Sequence, residues 1–244
     1  MVAIGAALAS GPHPSARAVG DRLPGLPRLS FWAWERPEDL RGLAERAGVA
    51  FLAATCRLSG DSFDTQLRHQ PLKVDPDTPL VAVVRIETDK GHPLALSIER
   101  IQALATDTAA LRHLPGVRAV QIDFDATLSE RPFYRELLRA VRTELGDVPL
   151  SMTALASWCM DDDWLQDLPV DEVVPMLFRL GALNAPYAEA GASGRLRSRM
   201  CAAAVGVSTD EPTPPLAGHR RVYVFHPRSW TKDALARAAG EVTR

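Results

Sequence analysis

The stretch from Gly116 to Gly146 limits the fold of this chain more than any other. Residues 117–125 read VRAVQIDFD, a β-rich run that ends in two carboxylates one residue apart. Side chains of a strand alternate between its faces. Gln121, Asp123 and Asp125 therefore share one face, and Val120, Ile122 and Phe124 share the other. After a turn, Ser129 and Pro132 open an amphipathic helix with Phe133, Leu137, Val141 and Leu145 on one side, and Gly146 ends it. The apolar strand face suits a layer of helices. The polar face suits the inside of a barrel, with the acids at its mouth.

Strand-like and helix-like segments alternate elsewhere too. Further strands are expected at Leu29–Trp34, Val49–Thr55, Leu80–Glu87, Leu150–Ala154, Glu172–Phe178, Ala202–Val207 and Arg221–Phe225. Helices are expected at Pro37–Ala47, stopped by Gly48, then from a Ser97 cap, and at Trp164–Leu168, Gly194–Met200 and Thr231–Ala239. Ser59–Pro79 reads as an irregular excursion. Eight such strands predict an α/β fold, a single (β/α)8 TIM barrel over residues 28–244. The alternative is an open doubly wound sheet, but no glycine-rich phosphate loop follows the first strand. Residues 1–27 read as a flexible N-terminal tail or signal remnant. Ala7-Leu8-Ala9 resembles a cleavage site, and the basic region of a full signal is missing. A truncated signal predicts an extracytoplasmic protein; otherwise a cytoplasmic one is expected.

Composition narrows the partners. The chain has 244 residues, 46% of them hydrophobic, and a net charge of -2. That length supports a large core without staples. No basic stripe points to nucleic acid, and no segment reaches membrane-spanning length. Cys56, Cys159 and Cys201 are odd in number and widely spaced, so no disulfide framework or zinc knuckle reads out, and buried apolar thiols are expected. The six histidines form no HxH or HExxH pair, so neither a metal nor a cofactor is expected. No GxSxG elbow is present. Nothing in the sequence sets the oligomeric state.

A barrel carries its active site at the C-terminal ends of its strands. Asp125, at a strand tip, is the expected general acid. Asp123, one layer below, is its expected orienter, hydrogen-bonded to Arg85 or Thr153. Glu87 or Glu35 is the expected second carboxylate. Trp34, Arg85, Trp158, Met176, Phe225 and His226 are the expected substrate contacts. Structural roles compete with these: a buried ion pair for Asp123, a helix start for Glu35, a plain loop position for His226. Asp161–Asp163 reads as a solvated helix start. Carboxylates, arginines and aromatic rings together suit a carbohydrate ligand, since glycosidic cleavage needs a proton donor and usually a second carboxylate.

The blocks FWAWERPEDL, VQIDFDAT, FYRELLRAVR, LSMTALASWC and DEVVPMLFRLG, between Phe31 and Gly181, resemble an uncharacterised bacterial family of glycoside-hydrolase-like barrels, a domain of unknown function. The resemblance implies a TIM barrel with a carbohydrate-related role. A more distant likeness is to chitinase-like barrels, whose fourth strand ends in DxxDxDxE. Aligning the final Glu with Asp125 leaves Gln121 and Arg118 at the first two acids. Aligning the last two aspartates with Asp123 and Asp125 leaves Thr127 in place of Glu. The first placement implies a shortened proton donor, the second a binding protein or another mechanism. Met176 matches the sixth strand of those enzymes, whereas Phe178 and Arg179 stand where a Tyr-Asp pair is expected. The resemblance thus implies hydrolysis of a bacterial or extracellular carbohydrate, or a catalytically degenerate barrel that binds a glycan or a protein partner.

Overall fold

Runs of Val, Ile and Ala give eight strands whose pairing closes a ring. The computed structural model describes residues 23, 25–43, 47–181, 186–187, 189–190, 196–213, 216 and 221–242. The barrel strands are β1 (Leu29–Ala33), β2 (Ala47–Ser59), β3 (Leu80–Thr88), β4 (Val117–Asp123), β5 (Leu150–Leu155), β6 (Glu172–Met176), β7 (Ala204–Ser208) and β8 (Arg221–Phe225). Each pairs in parallel with the next from β1 to β8. Closure comes at β1, where Leu29 stands opposite Val222 of β8 on one side and Ala47 of β2 on the other. The expected barrel is the observed fold, and the open sheet is excluded.

Among the helices are α1 (Ile98–Ala110), α2 (Arg131–Leu145), the short α3 (Ala156–Met160) and α4 (Lys232–Val242). The Ser97 hydroxyl caps α1 by accepting the Arg100 N–H at 3.3 Å. In α2, Tyr134, Leu137, Leu138, Val141 and Leu145 are buried, each contributing roughly 1.5–3 kcal/mol for a large apolar side chain. Gly146 ends α2 with φ 59°, a left-handed conformation that glycine adopts without Cβ strain. Ile122 and Phe124 lie under the helices, with the Phe124 ring 5.1 Å from that of Tyr134.

The barrel interior has its own core. Trp32, Tyr223 and Phe225 fill it against the small Ala50, Ala119 and Ala204, with Val81, Val83 and Val174 between them. Large rings on β8 and β1 thus face alanines on β2, β4 and β7, which fills the narrow ring without overpacking. Below them Glu172 is fully enclosed. It accepts bonds from Arg221 at 2.5 Å, Tyr223 at 2.7 Å and Ser151 at 3.2 Å. Burial pushes its carboxyl upward, and the Arg221 charge and these bonds oppose that. Arg221 also donates to the carbonyls of Leu23, Leu26 and Pro27. Leu23 and Leu26, within the expected tail, are buried in the interior cluster, and residues 1–22 and 24 lie outside the described residues.

Several local expectations are corrected. Residues 37–43 are not helical. Glu38–Asp39 instead pairs with Leu72–Lys73 in a two-stranded ribbon. Tertiary bonds override the helical spacing there, because buried Glu38 accepts from Arg36 at 2.7 Å and from the Trp230 amide at 2.8 Å. Gly48, read as a helix stop, lies inside β2, where a Cβ would come within 3.0 Å of the Pro79 carbonyl oxygen. The excursion after Ser59 contains an antiparallel strand, Ser62–Leu67, paired to the second half of β2. Register slips at Leu52/Ala54, and this bulge separates the half of β2 that pairs with β1 from the half that pairs with the hairpin. Trp164–Leu168 forms turns, with Asp167 at φ 60°. Residues 199–202 form a 3-10 turn where a helix was expected. The cysteines are corrected too: Cys159 and Cys201 form a disulfide, and only Cys56 is a buried free thiol. Spacing cannot reveal a bridge between elements brought together by the barrel.

Candidate functional site

β4 ends at Asp123, so its last inward side chain is buried and Asp125 projects from the loop just above. Asp123 is 3% exposed. Its Oδ2 accepts from Arg85 Nη1 at 2.7 Å and its Oδ1 from the Thr153 hydroxyl at 2.7 Å. The partners come from β3 and β5, the two neighbours of β4, which is why inward alternation on three adjacent strands assembles the triad. Both expected partners of Asp123 are thus present together.

Asp125 reaches solvent and, among the described residues, has no hydrogen-bond partner. The cleft walls strip water from its carboxyl and raise its pKa. Neighbouring Asp123 raises it further, and Arg85 opposes both. The cleft holds about 390 Å³. It is lined by Asp123, Asp125 and Arg85, by Trp34, Phe225, Met176 and Phe178, and by Leu155 at the end of β5, Ser157 in α3 and Tyr187. The Phe225 ring stacks on Trp32 at 4.4 Å and lies 4.8 Å from Phe178. This is a rigid aromatic surface.

Four other candidate residues stand elsewhere. Glu87 pairs with Arg57 at 3.2 Å and Arg85 at 3.5 Å, outside the cleft lining. Glu35 accepts the amides of His69 at 2.8 Å and Gln70 at 3.1 Å, tying the loop after β1 to the hairpin. Trp158 is buried, edge-on to Trp164 at 4.9 Å and beneath the Arg131 guanidinium. His226 stacks on Trp230 at 4.6 Å, and its Nδ1 is 2.5 Å from the Thr209 hydroxyl. Burial lowers its pKa, as do the Arg36 and Arg228 charges.

Sequence reasoning did not single out Leu155, Arg179, Leu180 or Tyr187 as cleft residues. Tyr187 donates to Asp161, and Asp162 and Asp163 pair with Arg131 at 2.9 Å and Arg197 at 2.5 Å. Of the three aspartates read as a solvated helix start, Asp161 thus engages a cleft residue, while Asp162 and Asp163 bind arginines outside the cleft lining, and no helix starts there. Among the described residues no three His, Cys, Asp or Glu side chains converge as a metal site. No described helix is long and apolar enough to cross a membrane.

Comparisons with known proteins bear on the fold. No family model matches the chain, and no curated protein does. Among solved structures, the chain is similar to the crystal structure of "putative Chitinase A from Streptomyces coelicolor". The identity is 10%, the TM-score is 0.53, and the match covers 88% of this chain and 96% of that one. At this identity the likeness shows the barrel alone.

Proposed function

We propose that this barrel is a glycoside-hydrolase-like protein that binds a bacterial or extracellular carbohydrate in the aromatic cleft and cleaves it with Asp125 as general acid. The observation that carries this reading is an unbonded carboxyl in an aromatic-lined cleft, next to a carboxylate whose own bonds are filled. Asp123, fixed by Arg85 and Thr153, holds a negative charge beside Asp125 and favours the protonated form that a donor to the leaving oxygen must have. The partly exposed Trp34 ring offers a face to a sugar, backed by the buried Phe225 ring 6.2 Å away, and Met176 lines the same cleft. No cofactor has a role in this chemistry. The similarity to a chitinase-assigned barrel agrees with the class of ligand.

The second reading is a catalytically degenerate barrel that binds a glycan or a protein partner without turnover. The engagement of Glu87 and Glu35 in other contacts favours it, because no second free carboxyl lines the cleft among the described residues. A glycan array and a hydrolysis screen on wild type and Asp125→Asn separate the readings. Turnover in wild type, lost in the variant by a factor of about 10²–10⁴ with binding retained, supports the acid. Binding without turnover in wild type supports the degenerate barrel. Undiminished turnover in Asp125→Asn refutes the assignment of the acid.

A further inference from the structure

Arg179 is the one cleft residue whose backbone is held in an uncommon conformation. Its φ is 56°, in the left-handed region that residues with a Cβ enter only at a cost. Its N–H donates to Glu211 Oε1 at 2.8 Å, which holds the turn from the β7 side. In an extended strand, successive side chains face opposite ways. The left-handed residue breaks that alternation, and Phe178, Arg179 and Leu180 all border the cleft. Strain at a ligand-facing position is a pointer to function rather than to packing.

The charge on Arg179 is also uncommitted. Its side chain is 65% exposed, the guanidinium's carboxylate neighbour, Asp210, stands 3.8 Å away, and Glu211 is engaged by the backbone N–H. Asp210 already accepts the Ser208 hydroxyl. A solvent-exposed pair at that distance contributes little. Arg85, the other cleft arginine, is spent on Asp123 at 2.7 Å and Glu87 at 3.5 Å.

We propose that Arg179 is a specificity-determining residue that reads a single carboxylate on the bound glycan, so that the substrate class is an acidic, uronate-type oligosaccharide. This rests on the reading of the cleft as a carbohydrate site. A guanidinium fork matches a carboxylate with two parallel N–H bonds, which lysine cannot reproduce. A monoanion is favoured over a sulfate- or phosphate-rich ligand because one spare cation shares the cleft with Asp125. A more highly charged group would meet that carboxylate uncompensated.

The test is binding of the full chain to three probes. These are uronate-containing oligosaccharides, the same oligosaccharides after carboxyl reduction, and their sulfated derivatives, each titrated calorimetrically against wild type, Arg179→Gln and Arg179→Lys. Arg179 projects into solvent, so both variants should melt like wild type. Wild type should bind the uronate form about tenfold more tightly than the reduced form, the size of one charged hydrogen-bonded contact. Arg179→Gln should lose that preference with unchanged affinity for the reduced form, and Arg179→Lys should recover only part of it. Equal affinity for uronate and reduced forms in wild type overturns the proposal and leaves the carbohydrate site standing. So does a preference that survives in Arg179→Gln, and so does tighter binding of the sulfated form. Failure of wild type to bind any of the three overturns this proposal and the reading of the cleft together.

Discussion

Replacing Arg85 with Met should destabilise the barrel strongly, because it leaves the Asp123 carboxylate enclosed without a cation. Asp123 is 3% exposed, and only the Thr153 hydroxyl at 2.7 Å would remain to it. Removing one partner of a buried ion pair costs about 3–5 kcal/mol. The lower end applies here, since the Arg85 side chain is itself 31% exposed and water can enter the vacated space. About 3 kcal/mol corresponds to a fall in Tm of roughly 6–12 °C in a chain of this size. Calorimetric melting of wild type, Arg85→Met, Asp123→Asn and the double variant closes a double-mutant cycle. The double variant should recover most of the loss, because neither charge is then stranded. An Arg85→Met protein that melts within about 2 °C of wild type, a loss of no more than about 1 kcal/mol, refutes the pair as a structural element. A double variant as unstable as the single one shows that Arg85 acts through packing instead.

Asp125→Asn should be at least as stable as wild type at pH 7. A raised carboxyl pKa means the folded protein loses stability as pH climbs through that value, so the gap should close at about pH 3, where the acid is neutral in both states; a variant less stable at pH 7 would contradict this. Replacing Cys159 and Cys201 with Ser should cost about 4 kcal/mol on the chain-entropy estimate for cysteines 42 residues apart, which denaturant unfolding measures. Tyr134→Phe should leave Tm unchanged or slightly higher, since the enclosed hydroxyl finds no partner among the described residues; a marked drop in melting would show that the hydroxyl is bonded in solution.

What the sequence revealed follows the range of the interactions involved. Period-2 alternation in VQIDFD fixed the facing of Asp123, Ile122 and Phe124, because that alternation is local to one strand. The Arg85–Asp123 pair was also legible, since adjacent parallel strands bring equal layers side by side, here with Arg85 opposite Asp123. The helix expected at Pro37–Ala47 failed for the opposite reason. Leu40 is fully buried as the spacing implied, but the Leu40 amide bonds to the Lys73 carbonyl at 2.8 Å, a partner 33 positions along the chain. Glu35 and His226 looked like site residues by position alone. Their occupation by backbone amides and by a stacked Trp230 depends on loops whose paths no local pattern encodes. Cys159–Cys201 and Arg179 belong with them, one set by contact across the barrel and the other by a backbone angle.

The two halves of the cleft are therefore built by different means. The acid side stands on β3, β4 and β5, under α1 and α2, where strand register and helix packing leave Asp123 no alternative partners. The proposed recognition side comprises Met176, at the end of β6, the residues just after it to Leu180, and Tyr187. Long-range ties hold it, among them the Arg179 N–H to Glu211, the Tyr187–Asp161 contact and the Cys159–Cys201 bridge, whose cysteines bracket it in sequence. Chemistry that tolerates little displacement belongs on the rigid half, and ligand selection on a loop whose residues change without disturbing the barrel. The strained Arg179 sits at a junction just past the end of β6, within the cleft lining. If the barrel selects among glycans, that junction is where a single side chain can set the preference while Asp125 and its support stay fixed.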